Sequence, residues 1–331
     1  MKHLFLLATL PLAFSAPIIA QETSAPVTPD DVVAAAAAEE WVEIAAEDLL
    51  VMDLAPDAAG KPRRVVIQLM PAPFSQPWLE NIRTLARAHW WDGTSVYRAV
   101  DNWVVQWGDV SEERALPEGV ESSKHCYKLE EFSDACPAGE LDAAILGLGA
   151  LAEDTEPYAD WRSRDAYAEW VDLIWGWPVA LSQDGNTRNW ELWPIHCYGS
   201  VGVARDLAPD TGTGSELYAV IGHAPRQLDR NIAVVGRVID GMEHLSTLRR
   251  GTGDAGVYET REEDTPILQV RMASELHEIP QPRFEYLSTE SESFARYVEV
   301  RANRDDAFYT VPAGGVDICN VPVPIRQIPG D

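Results

Sequence analysis

A mainly β fold with two α-helices set against it is what this sequence predicts, and three observations carry that expectation. Two β-rich runs, LLVMDL (Leu49 to Leu54) and RVVIQLM (Arg64 to Met70), flank the turn-forming PDAAGKP and read as a hairpin. The stretch VYRAVDNWVVQWGD, from Val96 to Asp109, reads as strand, turn and strand. Apolar residues recur at helical spacing from Trp78 to Ala86 and again from Met242 to Leu248.

Taken in order, the first 20 residues combine Lys2 and His3 with an apolar run from Leu4 and a small residue at Ala20. That is the pattern of a secretory signal peptide cleaved before Gln21. Pro11 and Pro17 interrupt the run, which falls short of the roughly 20 residues a membrane span requires. The expectation is an exported protein, periplasmic, with no membrane insertion after cleavage. Residues 21–40, rich in Ala, Pro and Asp, read as a flexible leader or a loosely held helix.

Ser75 is expected to cap the first helix, with Pro77 in its first turn and Trp78, Leu79, Ile82, Leu85 and Ala86 along one face. Simple alternation then puts Val96, Arg98 and Val100 on one face of a strand and Tyr97 and Ala99 on the other. After the turn residues Asp101 and Asn102, Trp103, Val105 and Trp107 face one way, and Val104, Gln106 and Gly108 the other.

Residues 110–195 are too many for a plain connection and must carry structure of their own. Glu140 to Ala152 is alanine-rich and apolar, and Trp161, Tyr167, Trp170, Ile174 and Trp177 offer an aromatic face, so this insertion is expected to be mainly helical. WPVAL and NWELW, around Asp184-Gly185, close it as a hairpin. Asp240 is expected to cap the second helix, with Met242, Leu245 and Leu248 inward and Gly251 as its stop. TPILQVRMA, from Thr265, reads as the last strand of the main sheet, and RYVEVRA and FYTVP as candidate strands of a C-terminal extension over 279–331.

A net charge of -27 excludes nucleic acid and anionic membranes as natural partners, since both demand a positive surface. Four cysteines, Cys126, Cys136, Cys197 and Cys319, read as two disulfides in an exported chain. Of the three connectivities, a short Cys126 to Cys136 loop with a long Cys197 to Cys319 staple is preferred. The pairs His125-Cys126 and His196-Cys197 do not match a compact zinc site. No GxSxG or HExxH pattern supports a hydrolase.

The run from Arg98 to Asp109 resembles the signature of the cyclophilin family of peptidyl-prolyl isomerases, with its spacing kept throughout. The family's Phe-Met is here Trp103-Val104, and the first glycine of its Gly-Gly-Asp is Trp107. LENIRTLARAHWWDG, with Asn81 and Gly93, HCYGSVGVAR, GTGSELYAVIG and LDRNIAVVGRVIDGMEHL are similar to further family segments. The resemblance implies a closed antiparallel β-barrel capped by two α-helices, spanning 41–278 and interrupted by the insertion. It also implies isomerisation of X-Pro bonds in proline-containing polypeptides, without a cofactor.

Carried over residue by residue, the resemblance makes Arg98 the catalytic arginine and has Gln106 hydrogen-bonding the substrate backbone. Trp103, Val104, Tyr218 and Leu228 would form the proline pocket, with Ala204 lining the neighbouring groove. Glu216 stands where the family has glutamine, Ile232 where it has histidine, and its tryptophan aligns near Gln227. These departures remove part of the pocket wall. They leave a competing expectation, a non-catalytic module that binds proline-containing segments or a partner protein.

Overall fold

The computed structural model describes residues 27–124, 160–186, 190–276 and 281–329. The signal-like residues 1–20, Cys126, Cys136 and the helix expected over 140–152 lie outside them. In chain order the strands are β1 (Trp41–Glu43), β2 (Leu49–Leu54), β3 (Arg63–Leu69), β4 (Ser95–Ala99), β5 (Val104–Gly108), β6 (Trp170–Ile174) and β7 (Trp177–Gln183). They continue as β8 (Trp190–Pro194), β9 (Ser200–Val203), β10 (Leu217–Val220), β11 (Val234–Asp240), β12 (Thr265–Met272), β13 (Phe284–Leu287) and β14 (Ile325–Gln327). The α-helices are α1 (Pro29–Ala35), α2 (Gln76–Arg87), α3 (Glu243–Ser246) and α4 (Glu292–Ala302).

Eight strands close an antiparallel barrel in the order β10-β5-β4-β12-β2-β3-β11-β9. Closure leaves no exposed edge, and alternation sends every second side chain inward. Leu50, Met52 and Leu54 of β2 meet Ile67, Val105, Trp107 and Leu217 in the interior. The other face of β2 is also covered, since Leu49 and Val51 pack against Ala273, Leu276 and Phe284. Burial on both faces is why the run Leu49 to Met52 reads as continuously apolar, with Asp53 after it held by Arg64 and Gln269.

Helix α2 lays Trp78, Leu79, Ile82, Leu85 and Ala86 into the same core. Ser75 holds the cap position but does not cap: it takes φ 56, and its hydroxyl donates to the Val234 carbonyl at 2.7 Å. The hydroxyl is used to tie the helix start to a barrel strand. Asp240, expected as the second cap, is instead the last residue of β11, and Met242 sits at the start of the single-turn α3.

Outside the barrel, the described part of the insertion is sheet rather than helix, with β6, β7 and β8 in sequential antiparallel order. Trp170 and Ile174, four residues apart, fit a strand face as well as a helix face, so their spacing could not decide between the periods. Both faces are buried: Trp170, Trp177 and Leu192 join the barrel's apolar cluster, while Val171, Ala180 and Trp193 pack with Ile318. The β7 to β8 hairpin forms as expected.

Residues 28–40 are not a free leader. Thr28 and Asp31 form a reciprocal cap on α1, and Val32 is buried with Phe294 and Tyr297 of α4. RYVEVRA lies in α4 rather than in a strand, because Phe294, Tyr297 and Val300 fall on one helical face and the Ser291 hydroxyl accepts from Phe294 N–H. FYTVP forms no strand, and Phe308 is exposed. The extension supplies β13 and β14, and β13 pairs with β1 on one side and β14 on the other. A disulfide joins Cys197 to Cys319 across 122 residues of sequence.

Candidate active site

Arg98 owes its direction to an irregularity in β4. The pairing steps from Val96 opposite Trp107 to Arg98 opposite Gln106, so one extra residue is accommodated between them. Val96 and Ala99 therefore both face the core, which corrects the simple alternation read from VYRAV. Arg98 and Gln106 emerge together on the outside. Beyond its short pairing with β12, the free side of β4 is held by the loop after α3: Gly251 N–H donates to Ala99 O at 2.9 Å and Tyr258 N–H to Tyr97 O at 3.0 Å. Within that loop Ala255 takes φ 53 and turns its carbonyl to Arg98 Nε, at 2.7 Å.

From the guanidinium a directed chain of hydrogen bonds runs across the barrel wall. Arg98 Nη1 donates to Gln106 Oε1 at 2.9 Å, and Gln106 Nε2 donates to the Tyr97 hydroxyl. The hydroxyl donates to Glu216 Oε2 at 2.8 Å, while Glu216 Oε1 accepts from Asp109 N–H at 2.6 Å. Arg98 Nη2 is left without a protein partner among the described residues. Burial lowers the arginine's pKa from its usual value, but arginine keeps its charge. Burial first, then the Glu216 charge, raises the Tyr97 phenol, so it stays a neutral donor.

Glu216 itself is pushed up to about 7. Desolvation is the largest cause, and repulsion from Asp109 and Glu112 adds to it against the two hydrogen bonds it accepts. Its backbone is pinned from α2 and the turn behind it, because Trp78, Asn81 and Trp91 donate to the carbonyls of Gly212, Thr213 and Ser215. Gly108 leaves it room: with φ +150, a Cβ there would lie 2.1 Å from Glu216 Oε1.

Beside this chain lies an apolar wall in which Val104, Tyr218 and Val220 pack with Trp103, Ala204, Leu228 and Ile232. Tyr218 is fixed from behind by a second buried network. Its hydroxyl lies 2.9 Å from His196 Nε2, and His196 Nδ1 lies 2.9 Å from Asp229 Oδ1. Asp229 Oδ2 accepts from Arg226 Nε at 2.6 Å, and Arg226 reaches Asp165 of the insertion at 2.7 Å. Gly202 permits the approach, since a Cβ there would come within 2.3 Å of the Tyr218 hydroxyl. His196 and Cys197 are thus committed to a hydrogen-bond network and a disulfide.

The nine side chains singled out in the sequence, Arg98, Trp103, Val104, Gln106, Ala204, Glu216, Tyr218, Leu228 and Ile232, line one open groove of about 660 Å³. Trp103, placed with Val105 and Trp107 by alternation, instead joins Val104 on the groove side, where the turn lifts it out of the strand pattern. Gln227 is exposed and outside the groove lining. Sequence reasoning missed Tyr97, Ala255 and Glu112. Tyr97 carried one usable signal, a phenol beside the arginine that needs a partner when buried. Ala255 carried none.

A family model described as cyclophilin type peptidyl-prolyl cis-trans isomerase/CLD matches residues 61–274. Among solved structures, the cyclophilin AquaCyp293 from Hirschia baltica aligns with a TM-score of 0.61 at 18% identity, over 92% of this chain and 99% of that chain. That likeness concerns the fold. A cyclophilin type peptidyl-prolyl cis-trans isomerase of Cryptosporidium parvum, crystallised in the presence of the dipeptide ala-pro, aligns with a TM-score of 0.35 at 12% identity, over 67% of this chain and 98% of that chain. No curated protein matches the chain. With the family model covering more than half of the sequence on a closed barrel of this kind, the protein belongs to the cyclophilin-type peptidyl-prolyl cis-trans isomerases.

Proposed function

We propose that this isomerase acts on X-Pro bonds of exported polypeptides, with Arg98 stabilising the twisted amide beside a pocket for the proline ring. Rotation about the bond is slow because amide resonance gives it a barrier of about 18–20 kcal/mol. Twisting returns a lone pair to the nitrogen, so a fixed donor beside it favours the transition state over either planar ground state. The observation that carries the reading is the tethering of Arg98. Nε and Nη1 are held by Ala255 O and Gln106 Oε1, while Nη2 stays available next to the apolar wall.

Trp103, Val104, Tyr218, Leu228 and Ile232 would hold the proline ring, and Ala204 the neighbouring residue. Gln106 spends one acceptor site and one N–H on its neighbours, which leaves it one of each for a substrate backbone. No acid, base or nucleophile is needed. Export to the periplasm is supported by the signal-like first 20 residues and by the Cys197 to Cys319 disulfide, which suits an oxidising compartment.

The test is X-Pro exchange in short peptides, followed by NMR, with the mature protein and with Arg98→Ala at equal concentration. Acceleration by the wild type should fall by a factor of about 100 or more in the variant, the scale on which losing one transition-state donor acts. Peptide resonances that shift on binding with no exchange in either protein would reject catalysis at Arg98.

A further inference from the structure

We propose that Glu216 is a positioning residue for the isomerase: as the terminal acceptor of the chain from Arg98 through Gln106 and Tyr97, its carboxylate sets the direction of every hydrogen bond in that chain. The inference rests on the reading of Arg98 given above and adds a means of regulating it. An ionised carboxylate can only accept. It draws the Tyr97 O–H toward itself, which leaves the phenol oxygen to accept from Gln106 Nε2 and turns Gln106 Oε1 toward Arg98 Nη1.

Protonation reverses the logic. Both Glu216 oxygens already accept, Oε1 from the Asp109 N–H and Oε2 from the Tyr97 hydroxyl. The backbone N–H cannot turn round, so the proton that acts on the chain is one on Oε2 that faces Tyr97. The phenol must then accept and point its own hydrogen at Gln106. To receive it the Gln106 amide flips, which presents an NH2 group to the Arg98 N–H and breaks the tether between them.

The surroundings make this carboxylate easy to protonate. Tyr97 faces it from β4, and Asp109 and Glu112 repel it from the end of β5 and the following turn. Across the groove the charged side chains are Arg205, Asp206 and Asp210. Glu216 forms no ion pair among the described residues, and its pKa is raised to about 7, by burial first.

Peptide exchange and the side-chain amide resonance of Gln106 are to be followed together from about pH 8 to about pH 6. If only the ionised form holds Arg98, acceleration should fall about tenfold over that interval, and the Gln106 resonance should move with the same midpoint. Glu216→Gln and Tyr97→Phe should each abolish the Gln106 titration, since one removes the titrating group and the other cuts the chain. A Gln106 resonance that does not move with pH in the wild type would overturn the proposal. Absence of exchange at every pH, with a Gln106 titration that both variants abolish, would reject catalysis at Arg98 and support the positioning by Glu216.

Discussion

Two carboxylates, half-buried Glu216 in the groove and buried Asp229 behind Tyr218, are treated by the barrel in opposite ways. Glu216 meets only neutral donors, the Tyr97 hydroxyl and the Asp109 N–H, and its pKa rises to about 7 under burial and the repulsion of Asp109 and Glu112. Asp229 is also pushed up by burial, but hydrogen bonds from His196 and the charge of Arg226 outweigh that and hold it below the usual carboxylate range. The difference lies in the company each one keeps. A buried acid with a cation beside it is a permanent strut, whereas one with only neutral donors changes its charge near neutral pH.

Removing the cation from the strut gives the largest expected effect. Arg226→Met would strand Asp229 and Asp165, both almost wholly buried, and should cost about 3–5 kcal/mol in urea unfolding at neutral pH. A loss below about 1 kcal/mol would mean that the two carboxylates find other compensation, and the contrast with Glu216 would collapse.

The second effect has the opposite sign for the other carboxylate. Because the folded pKa of Glu216 lies above its ordinary value of 4.5, the fold favours its protonated form. That contribution is present at acid pH and is lost as pH rises through about 7. It amounts to about 3 kcal/mol from a shift of this size. Glu216→Gln should therefore gain stability relative to wild type as pH rises from about 5 to about 8, measured by urea unfolding at several pH values. For Asp229 the dependence reverses: its contribution is present above the usual carboxylate range and is lost as pH falls below it. The positioning proposed for Glu216 needs the ionised form, which the fold disfavours, so stability and isomerisation pull this residue in opposite directions.

The smallest expected effect sharpens the comparison at its edge. Tyr218→Phe keeps the ring in the groove but leaves His196 Nε2 without its hydroxyl partner, and should cost about 1–2 kcal/mol. An equal or greater loss than in Arg226→Met would show that the network is anchored at the groove rather than at the insertion.

Much of this was legible in residue order. The β2 to β3 hairpin, the apolar face of α2, the strand β12 and the Cys197 to Cys319 staple appear as the sequence suggested. The nine groove residues were legible only as a resemblance carried over position by position; their composition alone is that of any barrel interior. Errors came where one spacing serves two periods, as with Trp170 and Ile174, or where β-branched residues sit on a helix, as in α4. Cap residues were misread where their side chains had other uses, as Ser75 shows.

By itself, then, the sequence determined which residues are apolar, how they alternate and which turns join them, since those depend on neighbours only a few positions apart. What the tertiary structure alone decided is direction and company. A one-residue step in β4 brought Arg98 and Gln106 to the same side, and a loop about 150 residues away supplied the Ala255 carbonyl that holds the arginine. Asp165 of the insertion, 61 residues before Arg226, completed the strut behind Tyr218. Whether a carboxylate titrates near neutral pH or stays charged depends on groups within a few ångströms in space, and sequence separation does not encode that distance.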